Sequence, residues 1–121
     1  MKIGEVAQRS GLSVHTIRYY ERIGLVPRAG RDAAGHRDYD AAILTWIAFL
    51  SRLKETGMPL RQMVHYAELR EQGDTTANAR RHILKSHRSH VRDRMRRLTE
   101  ALDALDAKIF SYTDKRKETP E

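Results

Sequence analysis

The chain has 121 residues, 40% of them hydrophobic and 32% charged, which is enough for one small domain with or without one extended helix. Its formal net charge of +7 favours a polyanionic partner, nucleic acid before an anionic membrane surface. The absence of cysteine excludes disulfides, thiolate metal sites, thiol-based sensing and cysteine catalysis, and no apolar run or leader pattern marks a membrane span or signal peptide, so a cytoplasmic protein is expected.

In chain order, Ile3, Val6 and Ala7 share one helical face, and Gly11 closes that short helix. Ser13 is a good N-cap for a second helix running to about Ile23, ended by Gly24 and Pro27. Residues 28–38, "RAGRDAAGHRD", lack periodicity and predict a hairpin with a basic tip. Asp40 caps a third helix from Ala41 to Thr56, with Ile43, Leu44, Ile47, Leu50 and Leu53 at core spacing. After a turn at Gly57 and Pro59, Leu60, Met63, Val64 and Ala67 predict a fourth helix, and "EQGDTT" breaks the pattern.

From Thr76 to Tyr112 there is neither Gly nor Pro, and a heptad emerges. Met95, Leu102 and Ile109 hold one seam position, while Leu84, Val91, Leu98, Leu105 and Tyr112 hold the other. One helix cannot bury this stripe on itself, so a self-paired dimer is expected. Arg80, Arg81, Lys85, Arg88, Arg92, Arg94, Arg96 and Arg97 precede a half rich in Glu100, Asp103, Asp106 and Asp114. Parallel pairing would lay like charge on like charge along several turns, which favours an antiparallel pair with its two-fold axis near Leu98. The boundaries that follow are a compact first domain at 1–72, a dimerisation helix at 73–114 and a flexible tail at 115–121.

Two short helices joined at Gly11 and followed by a basic hairpin make a winged helix-turn-helix pattern in a mainly α chain. The second helix and the turn after it read "HTIRYYERIGLVP", whose Arg18, Glu21 and Arg22 no core would accept. On this helix Ser13, His15 and Thr16 are placed for base edges and phosphates, Arg18 adds positive charge, and Tyr19 and Tyr20 offer hydroxyls to phosphate. Arg28, Arg31 and Arg37 lie in the hairpin, where they reach the flanking backbone.

The strings "IGEVAQRSGLSVHTIRYYERIGLVP", "GHRDYD" and "LKETGMPLRQM" resemble the DNA-binding domain of the MerR family of bacterial transcription regulators. The resemblance implies a homodimer on a palindrome in double-stranded promoter DNA, which it kinks and untwists so that RNA polymerase, engaged through the DNA, can start. It assigns DNA contact to Thr16, Arg18, Tyr19 and Tyr20, wing contact to Arg37 and Tyr39, and backbone contact to Arg61. Lys2 stands where the family often caps its first helix with Ser or Thr. The C-terminal half resembles the subgroup that answers aldehyde and other electrophile stress. That subgroup's reactive cysteine, in the third helix, is matched here by Arg52.

Plainer readings stand beside these. One of the two tyrosines can be buried, and Trp46, Phe49 and Tyr66 fit a packed core better than an effector pocket with Arg52. His82, His87 and His90 fit a solvated face better than a metal site, and no cofactor is implied. No nucleophile elbow, phosphate-cradling glycine loop or paired carboxylate suggests an enzyme. An architectural or recombination-type DNA binder without polymerase activation is the alternative, and the long dimerising helix argues against it.

Overall fold

The structure is a computed structural model that describes residues 1–118, with side chains as far as Thr113. It divides into a unit at Met1–Ile83 and a second that begins at Leu84.

In the first unit, α1 (Ile3–Ser10) and α2 (Val14–Arg22) form the helix-turn-helix. Gly11 ends α1 at φ +78°, a left-handed conformation open to glycine, and donates its N–H to the Ala7 carbonyl. Ser13 then caps α2: its hydroxyl oxygen accepts from the Thr16 N–H at 3.0 Å. Lys2, at the start of α1, gives no side-chain cap. Its ammonium instead reaches Asp32 and, at 3.2 Å, the Arg37 carbonyl, so the weak cap position serves as a tie to the hairpin.

That hairpin pairs β1 (Gly30–Arg31) with β2 (Arg37–Asp38) antiparallel, Gly30 opposite Asp38 and Arg31 opposite Arg37. Two strand residues a side give little pairing energy, and the tip is held by Asp32. Its carboxylate accepts from the N–H groups of Ala34 at 3.0 Å and His36 at 2.9 Å.

α3 (Ala42–Glu55) starts where the Asp40 carboxylate accepts the Ala42 N–H at 2.8 Å. It buries Ile43, Trp46, Ile47, Leu50 and Leu53, and packs on α1 and on α4 (Leu60–Glu71), which contributes Met63, Tyr66 and Ala67. The core closes around Val6, Ile17, Leu25, Val26, Ile47, Leu50 and Met63. "GDTT" is more than a break: Gly73–Thr76 forms a 3-10 turn in which buried Thr76 donates to the Leu69 and Gly73 carbonyls and accepts from Arg80 Nε at 3.1 Å.

α5 runs from Ala77 to Glu118, into the 115–121 segment expected as a tail; 119–121 lie outside the described residues. In the second unit, Met95, Leu98, Leu102, Leu105, Ile109 and Tyr112 are each between 58% and 63% exposed, and Leu84 and Val91 are half-buried. Phe110, outside both seams, is equally open. No helix among the described residues is long and apolar enough to cross a membrane.

Candidate nucleic-acid interface

The N-cap geometry leaves Ser13, His15 and Arg18 exposed, with Thr16 half-buried between them. Ser13 also donates its proton to the Thr16 hydroxyl at 2.9 Å, which orients both groups at the start of α2. One turn on, the half-buried Tyr19 ring carries the Arg22 guanidinium over its face at 5.4 Å. A phenol and a guanidinium are thereby set side by side on the solvent face.

Tyr20 and Tyr39, both expected as DNA contacts, are core residues at 8% and 3% exposure. Tyr20 follows Ile17 by three residues on the inner face of α2, and its carbonyl accepts the N–H groups of Leu25 and Val26 in the turn that ends the helix. The Tyr39 hydroxyl is enclosed and forms no hydrogen bond. Its pKa is raised, first by burial and then by the adjacent Glu21 carboxylate, which favours the protonated phenol, while Arg37 acts the other way.

Glu21 reverses a second expectation. It is 8% exposed, and both its carboxylate oxygens are used: one accepts the Ala29 N–H at 3.1 Å, the other Arg37 Nη1 at 3.1 Å. A buried carboxylate is tolerated because it is paired and hydrogen-bonded. It ties α2 to the residue before β1 and to the first residue of β2, and the partners' distance along the chain hid it from local reading.

Five arginines, Arg18, Arg22, Arg28, Arg31 and Arg37, line an open cleft of about 580 Å³ between α2 and the hairpin, with Glu21 and Ala29 beside them. Arg22 is an addition to the residues expected from sequence; its signal was its place one turn after Arg18. Arg31 Nη1 donates to the Gly35 carbonyl at 3.2 Å, so its charge stays open to an anion. Arg61 is exposed in the first turn of α4 and does not line this cleft.

Of the residues expected at an effector pocket, Trp46 and Tyr66 lie in the core and Arg52 on the surface. Trp46 and Tyr66 stack in the core with centroids 6.0 Å apart, and Arg70 lies 4.1 Å over the indole. Arg52, whose side chain is 80% exposed, pairs with Glu55. A second cleft of about 470 Å³ lies between the hairpin and α3, touched by Trp46 and Arg70 but by neither Arg52 nor Tyr66. Among the described residues no group of His, Asp or Glu is arranged to hold a metal ion.

Comparison with known proteins agrees with this geometry. The family profile described as MerR family regulatory protein matches residues 2–39, and that described as MerR, DNA binding matches 44–108. The transcriptional regulator AdhR of Bacillus subtilis is 38% identical over 75% of this chain, which spans 65% of AdhR's length. A crystal structure assigned to this family from Listeria monocytogenes superposes with a TM-score of 0.85 at 39% identity, covering 93% of this chain and 86% of that one. HiNmlR, a MerR family regulator lacking the sensor domain and bound to promoter DNA, superposes with a TM-score of 0.81 at 31% identity, covering 96% and 92%. A winged helix-turn-helix, an arginine cleft and these matches lead to one conclusion: the chain belongs to the MerR family of DNA-binding transcription regulators.

Proposed function

We propose that two copies of this chain pair antiparallel through α5, bind a palindromic operator and distort promoter DNA to control transcription. The observation that carries the reading is the open apolar stripe from Met95 to Tyr112, too long and too regular to be left in water. Antiparallel pairing lays the basic half of one helix, Arg80 to Arg97, on the acidic half of its copy, Glu100 to Asp114.

Each protomer would then offer one α2 to a major groove. Ser13, His15, Thr16 and Arg18 face base edges and phosphates, while Tyr19, Arg22, Arg28, Arg31 and Arg37 hold the flanking backbone. Arg61 adds a phosphate contact from the first turn of α4. The chain works in the cytoplasm, without a catalytic step, and polymerase meets it through the shape of the DNA. HiNmlR, similar in fold and described as bound to promoter DNA without a sensor domain, supports this reading.

The test is transcription in vitro from a promoter with an overlong spacer, with a footprint on the same fragment. The expected result is protection between the promoter elements and a change in open-complex formation. Specific protection with no change in transcript would favour an architectural binder instead.

A further inference from the structure

The buried Tyr39 hydroxyl without a partner is the anomaly in the first unit, since enclosed polar groups are nearly always hydrogen-bonded. It sits against the Glu21–Arg37 pair. Within that pair the burial is unequal: the Glu21 side chain is 8% exposed and that of Arg37 is 52% exposed. A phosphate can therefore reach Arg37, while Glu21 stays enclosed. Arg37 is also one of the five arginines lining the cleft, so an anion there competes with Glu21 for the same guanidinium. Were Arg37 drawn away, Glu21 would keep only the Ala29 N–H, and an under-paired buried carboxylate is costly.

We propose that Glu21 positions the hairpin against the recognition helix through exchangeable partners, and that Tyr39 is its reserve donor: when a DNA phosphate takes Arg37, the Tyr39 hydroxyl turns to Glu21. This rests on the DNA-binding reading of the cleft. No proton is transferred, because the phenol stays protonated and only gains an acceptor for its hydrogen bond. In the free protein Arg37 satisfies Glu21 and Tyr39 is idle. In the complex Tyr39 satisfies Glu21, and Arg37 is released to neutralise a phosphate. Tyr39 thus acts on DNA through Glu21 without touching it. A positioning role of this kind predicts that the hydroxyl is silent in stability and visible in affinity.

The experiment uses the full chain and the duplex that wild type enriches from a random library. Tyr39→Phe should leave the melting temperature of the free protein unchanged and weaken binding of that duplex about tenfold, the scale of one hydrogen bond to a charged group. In an Arg37→Met background Glu21 already relies on Tyr39. There Tyr39→Phe should instead lower the melting temperature and no longer change affinity. An affinity unaffected by Tyr39→Phe in the wild-type background would overturn the proposal. So would an equal loss in both backgrounds, which would mean that the phenol touches DNA itself. Failure of wild type to enrich any duplex would refute the DNA reading of the cleft and this exchange with it, whereas the Tyr39 results bear on the exchange alone.

Discussion

Trp46 Nε1 donates a buried hydrogen bond to the Leu25 carbonyl at 2.9 Å, joining α3 to the turn that ends the recognition helix. The Leu25 N–H is itself held by the Tyr20 carbonyl at 2.9 Å, and Gly24, at φ +81°, makes the bend. The direction in which the chain leaves α2, and with it the hairpin's starting point, is thus fixed from the core.

Trp46→Phe removes the donor and leaves an enclosed carbonyl. It should lower the stability of the first unit by about 1–3 kcal/mol, the cost of an unsatisfied buried group, measured by urea unfolding followed by circular dichroism. An unchanged midpoint would mean that this bond contributes nothing.

Arg18 is exposed on α2 and lines the arginine cleft. Arg18→Ala should weaken binding about tenfold and reduce the slope of log affinity against log salt by about 1 if it meets a phosphate. An unchanged slope with relaxed specificity would instead place Arg18 on a base edge. An unchanged titration would remove it from the interface.

The hairpin tip carries a pH dependence of known sign. The Asp32 pKa is lowered from 3.8, first by the Lys2 ammonium and then by the His36 N–H. Its contribution is present above its ordinary value and is lost as pH falls through the lower folded value. Amide signals of Ala34 and His36, followed by NMR through an acid titration, should shift with a midpoint below 3.8, and Asp32→Asn should abolish that transition. A midpoint at or above 3.8 would contradict the tie to Lys2.

The direction of the coil can be read with one label, because the chain lacks cysteine. Ser86 is exposed on α5, and Ser86→Cys gives a single site for a spin label. With an antiparallel axis near Leu98 the two labels should lie about 36 Å apart at 1.5 Å per residue. A parallel pair would bring them within about 10–15 Å, the spacing of adjacent helices.

Much of the fold was readable because its signals are local. Gly11, Ser13, Asp40 and Pro59 mark helix limits within a residue or two of where the structure has them, and the heptad from Leu84 to Tyr112 is a repeat that needs no partner to be seen. The site was legible only in part, since burial depends on residues far along the chain. Glu21 and Arg37 are 16 positions apart, and neither betrays the other in sequence. In "RYYE" the helical period decides the faces: Arg18 and Tyr19 remain outward while Tyr20 and Glu21 turn inward, opposite to what the charge of Glu21 suggests. The resemblance alone makes Tyr39 a wing contact, yet β2 ends at Asp38 and the next side chain enters the core. Arg52, which the resemblance alone sets at a reactive position, is an exposed helix-end arginine paired with Glu55.

Leu98→Asp, assayed on the enriched duplex, tests most directly whether the arginine cleft and the apolar stripe serve one dimeric DNA-binding unit. Trp46, the chain's single tryptophan, reports by its fluorescence that the first unit stays folded. The predicted result is a two-fold symmetric wild-type footprint that vanishes in Leu98→Asp together with the dimer in sedimentation. An unchanged footprint from a Leu98→Asp protein that sediments as a monomer would contradict the account.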